Sequence, residues 1–193
     1  MTRGARAVPA GGEGGPVEAG PSDAAARGWV LDALSRSART RGQLEAMLAR
    51  KGVAPETVAE VLDRFEEVGL VDDAGYAEAF VESRHEVRGQ GGRALAFELR
   101  RRGVADDLVA QAVGALDADR QLETACRLAR VRYGRLAGLP GEVRARRLAG
   151  YLARKGYSGD VVARAVRDAA QAAADADVDA DGFCDDRFGG VED

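Results

Sequence analysis

Apolar residues recur at spacings of three and four through most of the chain, the mark of helices with one buried side, and glycine or proline interrupts them at regular places. From Asp23, the residues Ala26, Trp29, Val30, Ala33 and Leu34 fall on one side of a first helix that ends near Ser37. Leu44 and Leu48 lie one turn apart in a second helix, from about Arg41 to Lys51, and Gly52 stands where a left-handed stop would end it. Pro55 suits the first turn of a third helix carrying Val58, Val61, Leu62 and Phe65, which Gly69 closes. Asp72 and Asp73 are suitable caps for a fourth, with Tyr76, Phe80 and Val87 along one stripe. Leu95 and Leu99 lead to Gly103, and Asp106 or its neighbour opens a helix with Leu108, Val109, Ala112 and Val113. The last three helices carry Leu122, Ala125, Cys126, Ala129 and Tyr133 from about Asp119, then Leu148 and Leu152 before Gly156, then Val161, Val162, Ala165 and Val166 behind Ser158 as cap.

The pattern repeats. LARKGVAPETVAEVL from Leu48, LRRRGVADDLVAQAV from Leu99 and LARKGYSGDVVARAV from Leu152 superimpose without a gap on Gly52, Gly103 and Gly156, 51 and 53 residues apart. A period of this size marks a repeat architecture. The expectation is an all-α protein: three tandem three-helix repeats, at 23–70, 71–117 and 118–169, in an elongated, curved array. Short helices nucleate poorly, so they must stack on neighbours. The loops between the first two helices of each unit, ARTRG, VRGQGG and AGLPGE, all hold glycine and are predicted points of flexing. Residues 1–22, rich in Gly, Pro and Ala, and the acidic residues 170–193 bury too little apolar surface to order themselves and are predicted disordered tails.

Composition agrees. The 193 residues are 46% hydrophobic but only 5% aromatic, the balance of helices packed through small and aliphatic side chains. Two cysteines, Cys126 and Cys184, are too few for a disulfide framework. The N-terminus lacks the apolar core of a signal peptide and no run approaches a membrane span, so a cytoplasmic monomer without membrane contact is expected.

Charge changes the picture. The net charge of −4 is the sum of −5 over residues 1–83, +9 over 84–167 and −8 over 168–193. A basic middle in an acidic protein points to a localised face for a polyanion or an acidic protein. A basic group precedes every stop glycine: Arg50 and Lys51, then Arg100, Arg101 and Arg102, then Arg154 and Lys155. Cations in the last turn complement the helix dipole, which accounts for any one of them but not for the further arginines of the second and third units. The candidate contact residues are Arg84, Arg88, Arg93, Arg100, Arg101, Arg102, Arg144, Arg147, Arg154 and Lys155. Arginine holds phosphate or carboxylate through two parallel bonds. No aromatic-interleaved basic stretch stands out, which favours backbone or protein contacts over base stacking.

Nothing in the sequence demands catalysis, a cofactor or a metal. His85, the single histidine, has no partner at relay or ligand spacing, and Cys126 reads as a small core residue. Asp177, Asp179, Asp181 and Gly182 match the opening of a calcium-binding loop and Asp185 its ninth position, but Phe188 replaces the bidentate glutamate of the twelfth.

The stretch from Leu70 to Val104 resembles the RecX family of bacterial regulators. The acidic pair Asp72 and Asp73 precedes the aromatic Tyr76; Phe80, Val81 and Arg84 follow on the helix; Gly89 to Gly92 make a glycine-rich turn; and Leu99 to Gly103 give the L-x-x-[KR]-G stop. The resemblance extends over roughly residues 23–168. It implies curved arrays of three-helix repeats and a regulator that binds the RecA filament on DNA, inhibiting recombinase, ATPase and coprotease activity in DNA repair and the SOS response. It also implies DNA, single- or double-stranded, as a second partner, met through phosphates. The alternative is a free-standing basic helical-repeat protein that binds DNA without RecA.

Overall fold

A computed structural model describes residues 21–182. The predicted N-terminal tail up to residue 20, and the end of the acidic tail with Cys184, Asp185 and Phe188, lie outside the described residues. Nine helices and no strand occur among the described residues: α1 Asp23–Arg36, α2 Arg41–Arg50, α3 Pro55–Glu67, α4 Asp73–Arg88, α5 Gly92–Arg101, α6 Asp106–Gly114, α7 Ala118–Gly134, α8 Gly141–Arg154 and α9 Gly159–Gly182. The substantial helix pairings fall within α1 to α3, α4 to α6 and α7 to α9, so the array is three three-helix units in tandem.

Local chemistry starts and stops these helices as the pattern predicts. Thr40 caps α2 in a reciprocal box with Gln43, whose side chain accepts from the Thr40 amide at 3.2 Å. Asp72 accepts from the Gly75 amide at 2.9 Å, and Pro55 opens α3. At the repeated stop, Gly52, Gly103 and Gly156 take φ of 77°, 80° and 91°, a left-handed backbone that glycine enters without steric cost. The next residue closes the turn each time: Val53, Val104 and Tyr157 donate to the carbonyls of Leu48, Leu99 and Leu152 at 3.2, 3.3 and 3.3 Å.

Each unit has its own core. Leu44 and Leu48, Leu95 and Leu99, and Leu148 and Leu152 are completely buried in three separate apolar clusters. Truncating such a leucine to alanine costs about 2–5 kcal/mol. In α4 the buried stripe is Ala77, Phe80, Val81 and His85, whereas Val87 is 80% exposed, against expectation. His85 faces the core where Val87 was expected; its Nδ1 lies 2.9 Å from the Gln90 carbonyl oxygen, and its buried Nε2 has no partner among the described residues.

The units meet at backbone joints, and the loops expected to flex form them. The Thr40 hydroxyl donates to the Arg102 carbonyl, and the Arg41 amide donates to Asp73 Oδ1 at 2.8 Å. Gly42 and Gly103 then approach so closely that a Cβ built on either would stand 2.8 Å from the other's Cα. At the second joint the Gly91 amide donates to the Lys155 carbonyl at 2.8 Å and the Arg93 amide to the Gly156 carbonyl at 3.1 Å. Lys155 Nζ reaches the Arg88 carbonyl at 2.5 Å, and Arg120 clamps Glu82 and Glu86 across the same boundary. The first two loops are thus docked rather than free, each held against the stop glycine of the following unit. Gly52, the stop of the first unit, has no described residue within 4 Å of a Cβ position.

The third unit departs from the frame at both ends. Counting back from the stop glycine, the positions of Thr40 and Gly91 correspond to Arg144, and those of Gly42 and Arg93 to Arg146. α8 spans 14 residues against 10 in α2 and in α5, so a helical turn bearing arginines replaces the docking loop. α9 runs on past the boundary read at residue 169 to Gly182: alanine, the strongest helix former, recurs through the stretch, and Ala170 and Ala173 still pack on the core of the third unit. The backbone of residues 177–182 is therefore helical and not the open loop a calcium site requires.

Candidate partner-binding face

In the repeat frame Arg50, Arg101 and Arg154 occupy one position, two residues before the stop. Arg101 and Arg154, with Arg102, line a single cleft of roughly 610 Å³ to which Gln43 also contributes, so all three units share it. Both arginines are exposed, and among the described residues neither is in an ion pair. The glycine joints bring them together: docking Gly91 on Gly156 lays the end of α8 beside α5.

Arg84 and Arg88 line a different cleft, of roughly 640 Å³, between the first and second units. Arg39 joins them there, and its walls include Leu70 and Val87, 53% and 80% exposed. The Phe80 ring links the two clefts. The Arg84 guanidinium lies 5.1 Å from its centroid and that of Arg102 4.7 Å, cation–π contacts that hold both groups in place. Arg102 Nη1 also donates to the Tyr76 hydroxyl at 3.0 Å, and Tyr76 stacks on Phe80 at 6.2 Å.

The remaining predicted residues are dispersed. Arg93 lines a third cleft with Ser158 and Asp160. Arg100 pairs with Asp106 at 2.6 Å, and Lys155 serves the second joint. Arg144 lies 4.5 Å from the Tyr133 ring centroid, and Arg147 is exposed on α8. Two arginines of the basic middle are staples: Arg120 across the joint, and Arg130, which binds both oxygens of Asp168 at 2.8 Å and holds that carboxyl below the usual range. Burial, and then the Asp168 charge, pushes the Cys126 thiol up, away from the reactive thiolate. His85 is buried, and no group of three or more His, Cys, Asp or Glu among the described residues could hold a metal ion.

Three segments match family models for RecX: residues 26–65 its first three-helix domain, 72–113 its second and 119–166 its third. The chain is 48% identical over 165 residues to the "Regulatory protein RecX" of Thermobifida fusca (strain YX), covering 83% of this chain and 89% of that one. The chain belongs to the RecX family. A RecX from Streptomyces coelicolor is 47% identical over 144 residues, covering 75% of this chain and 77% of the relative. The crystal structure of RecX from Lactobacillus salivarius shares the fold, with a TM-score of 0.72 at 20% identity over 76% of this chain and 96% of that one.

Within this RecX scaffold one exposed residue escapes the sequence reading. Phe97 lies in the cleft of Arg101 and Arg154 with 61% of its surface exposed. Arg93, Phe97 and Arg101 are spaced by four along α5, all exposed, so a basic stripe does carry an aromatic ring. The signal was present in that spacing but hidden in a linear scan for aromatic and basic runs. Among the described residues no helix is long and apolar enough to cross a membrane.

Proposed function

We propose that this chain is a non-enzymatic regulator that binds the RecA–DNA filament and restrains RecA's recombinase, ATPase and coprotease activities in DNA repair and the SOS response. The observation that carries this reading is the cleft shared by all three units, with Arg101 and Arg154 unpaired at equivalent repeat positions. The docked joints keep that spacing fixed. Arginines presented at fixed intervals suit a partner that is itself repetitive and anionic, and several weak contacts then add as avidity. Family membership supports the same partner.

The test is inhibition of RecA's DNA-dependent ATP hydrolysis together with co-sedimentation on RecA filaments. The double variant Arg101→Glu, Arg154→Glu should keep its helicity and lose most inhibition. Inhibition equal to the unaltered chain would overturn the assignment. Tight, steeply salt-dependent binding to bare DNA, with RecA's ATPase untouched, would instead establish free-standing DNA binding.

A further inference from the structure

Phe97 is costly where it stands. The corresponding repeat positions hold Ala46 and Gly150, and both of those units build a complete core without an aromatic ring there. The fold therefore does not require Phe97, yet it exposes a large apolar surface to water, flanked one turn away on either side by Arg93 and Arg101. Glu98 is the one acidic residue lining the cleft, and Gln90 Nε2 holds it at 2.6 Å. The guanidinium groups of Arg101 and Arg154 are left for an anion from outside.

We propose that this cleft takes a single-stranded nucleic acid, with one base stacked on the Phe97 ring and the neighbouring phosphates held by Arg101 and Arg154. This names the polyanion of the face assigned above and rests on that reading. The chemistry selects a single strand. A duplex keeps its base faces inside the stack and offers only phosphates and groove edges, so it would leave the ring uncovered. An unpaired strand offers an apolar face and a negative charge within a few ångströms of each other, matching a ring one helical turn from a guanidinium. Gln43, from the first unit, adds amide donors at the rim, its oxygen being held by the Thr40 amide.

The experiment measures fluorescence anisotropy of the full chain with labelled oligothymidylate and with an abasic deoxyribose-phosphate strand of equal length, at physiological salt. Phe97→Ala should weaken oligothymidylate binding about tenfold and leave the abasic strand unchanged. Phe97→Trp should restore binding, and Arg101→Gln should weaken both strands. Thymidylate affinity unchanged in Phe97→Ala, or equal affinity of the unaltered chain for the two strands, would overturn the proposal. Failure to bind either strand while still co-sedimenting with RecA filaments would overturn it and leave the proposed function intact. Phe97-dependent strand binding with no effect on RecA would do the reverse.

Discussion

Tyr157 donates its phenolic hydroxyl to the carbonyl of Gly89, 3.1 Å away in the preceding unit. In the repeat frame this position holds valine in the other two units, Val53 and Val104, so one hydroxyl turns a core residue into a tie between units. Burial pushes the Tyr157 phenol up to about 12. Tyr157→Phe keeps the ring but leaves the Gly89 carbonyl unpaired, and should cost about 1 kcal/mol in chemical denaturation. Because the folded phenol ionises later than a free tyrosine, its share of stability is intact below about pH 10 and drains away toward pH 12. That alkaline component should be missing from the variant.

The stop glycines should not be equivalent. Gly52→Ala meets only the cost of a left-handed backbone, about 1–2 kcal/mol, because no described residue lies within 4 Å of its Cβ position. Gly103→Ala bears the same cost and also drives a methyl group into Gly42, so its thermal midpoint should fall further. Parallel melting curves of the two variants check this, and equal losses would mean that the glycine contact contributes nothing to the joint.

The Arg120 clamp predicts a carboxylate titration. Hydrogen bonding to Arg120, and then its charge, holds Glu82 below its ordinary value of 4.5. The clamp is therefore complete above that value and lost as pH falls through the lowered one. In an NMR titration, Arg120→Gln should return the Glu82 carboxyl to the ordinary range. A Glu82 titration that the substitution does not move would remove the clamp from the account of the joint.

The scaffold was largely legible because its determinants are local. Leucines at i and i+4, a glycine stop and a polar cap act within one or two turns, and Leu44, Leu95 and Leu148 are buried where the period puts them. The joints were not legible, because they depend on which backbones touch. Glycine in ARTRG and VRGQGG reads as looseness in sequence, while in space it is the absence of a Cβ that permits contact with Gly103 and Gly156. Val87 misled as well: apolarity put it on the α4 stripe, but His85 faces the core there. Of the predicted contact residues, Arg101, Arg102 and Arg154 share a cleft only because α8 is laid beside α5, which no linear spacing encodes.

The glycine joints give the three units an order. In each joint a glycine of one unit, Gly42 or Gly91, sits on the stop glycine of the unit after it, Gly103 or Gly156. Among the described residues no such contact reaches Gly52, the stop of the first unit. Exchanging the units would therefore break the joints although their cores are alike: the first gives a contact, the second gives one and receives one, and the third receives one.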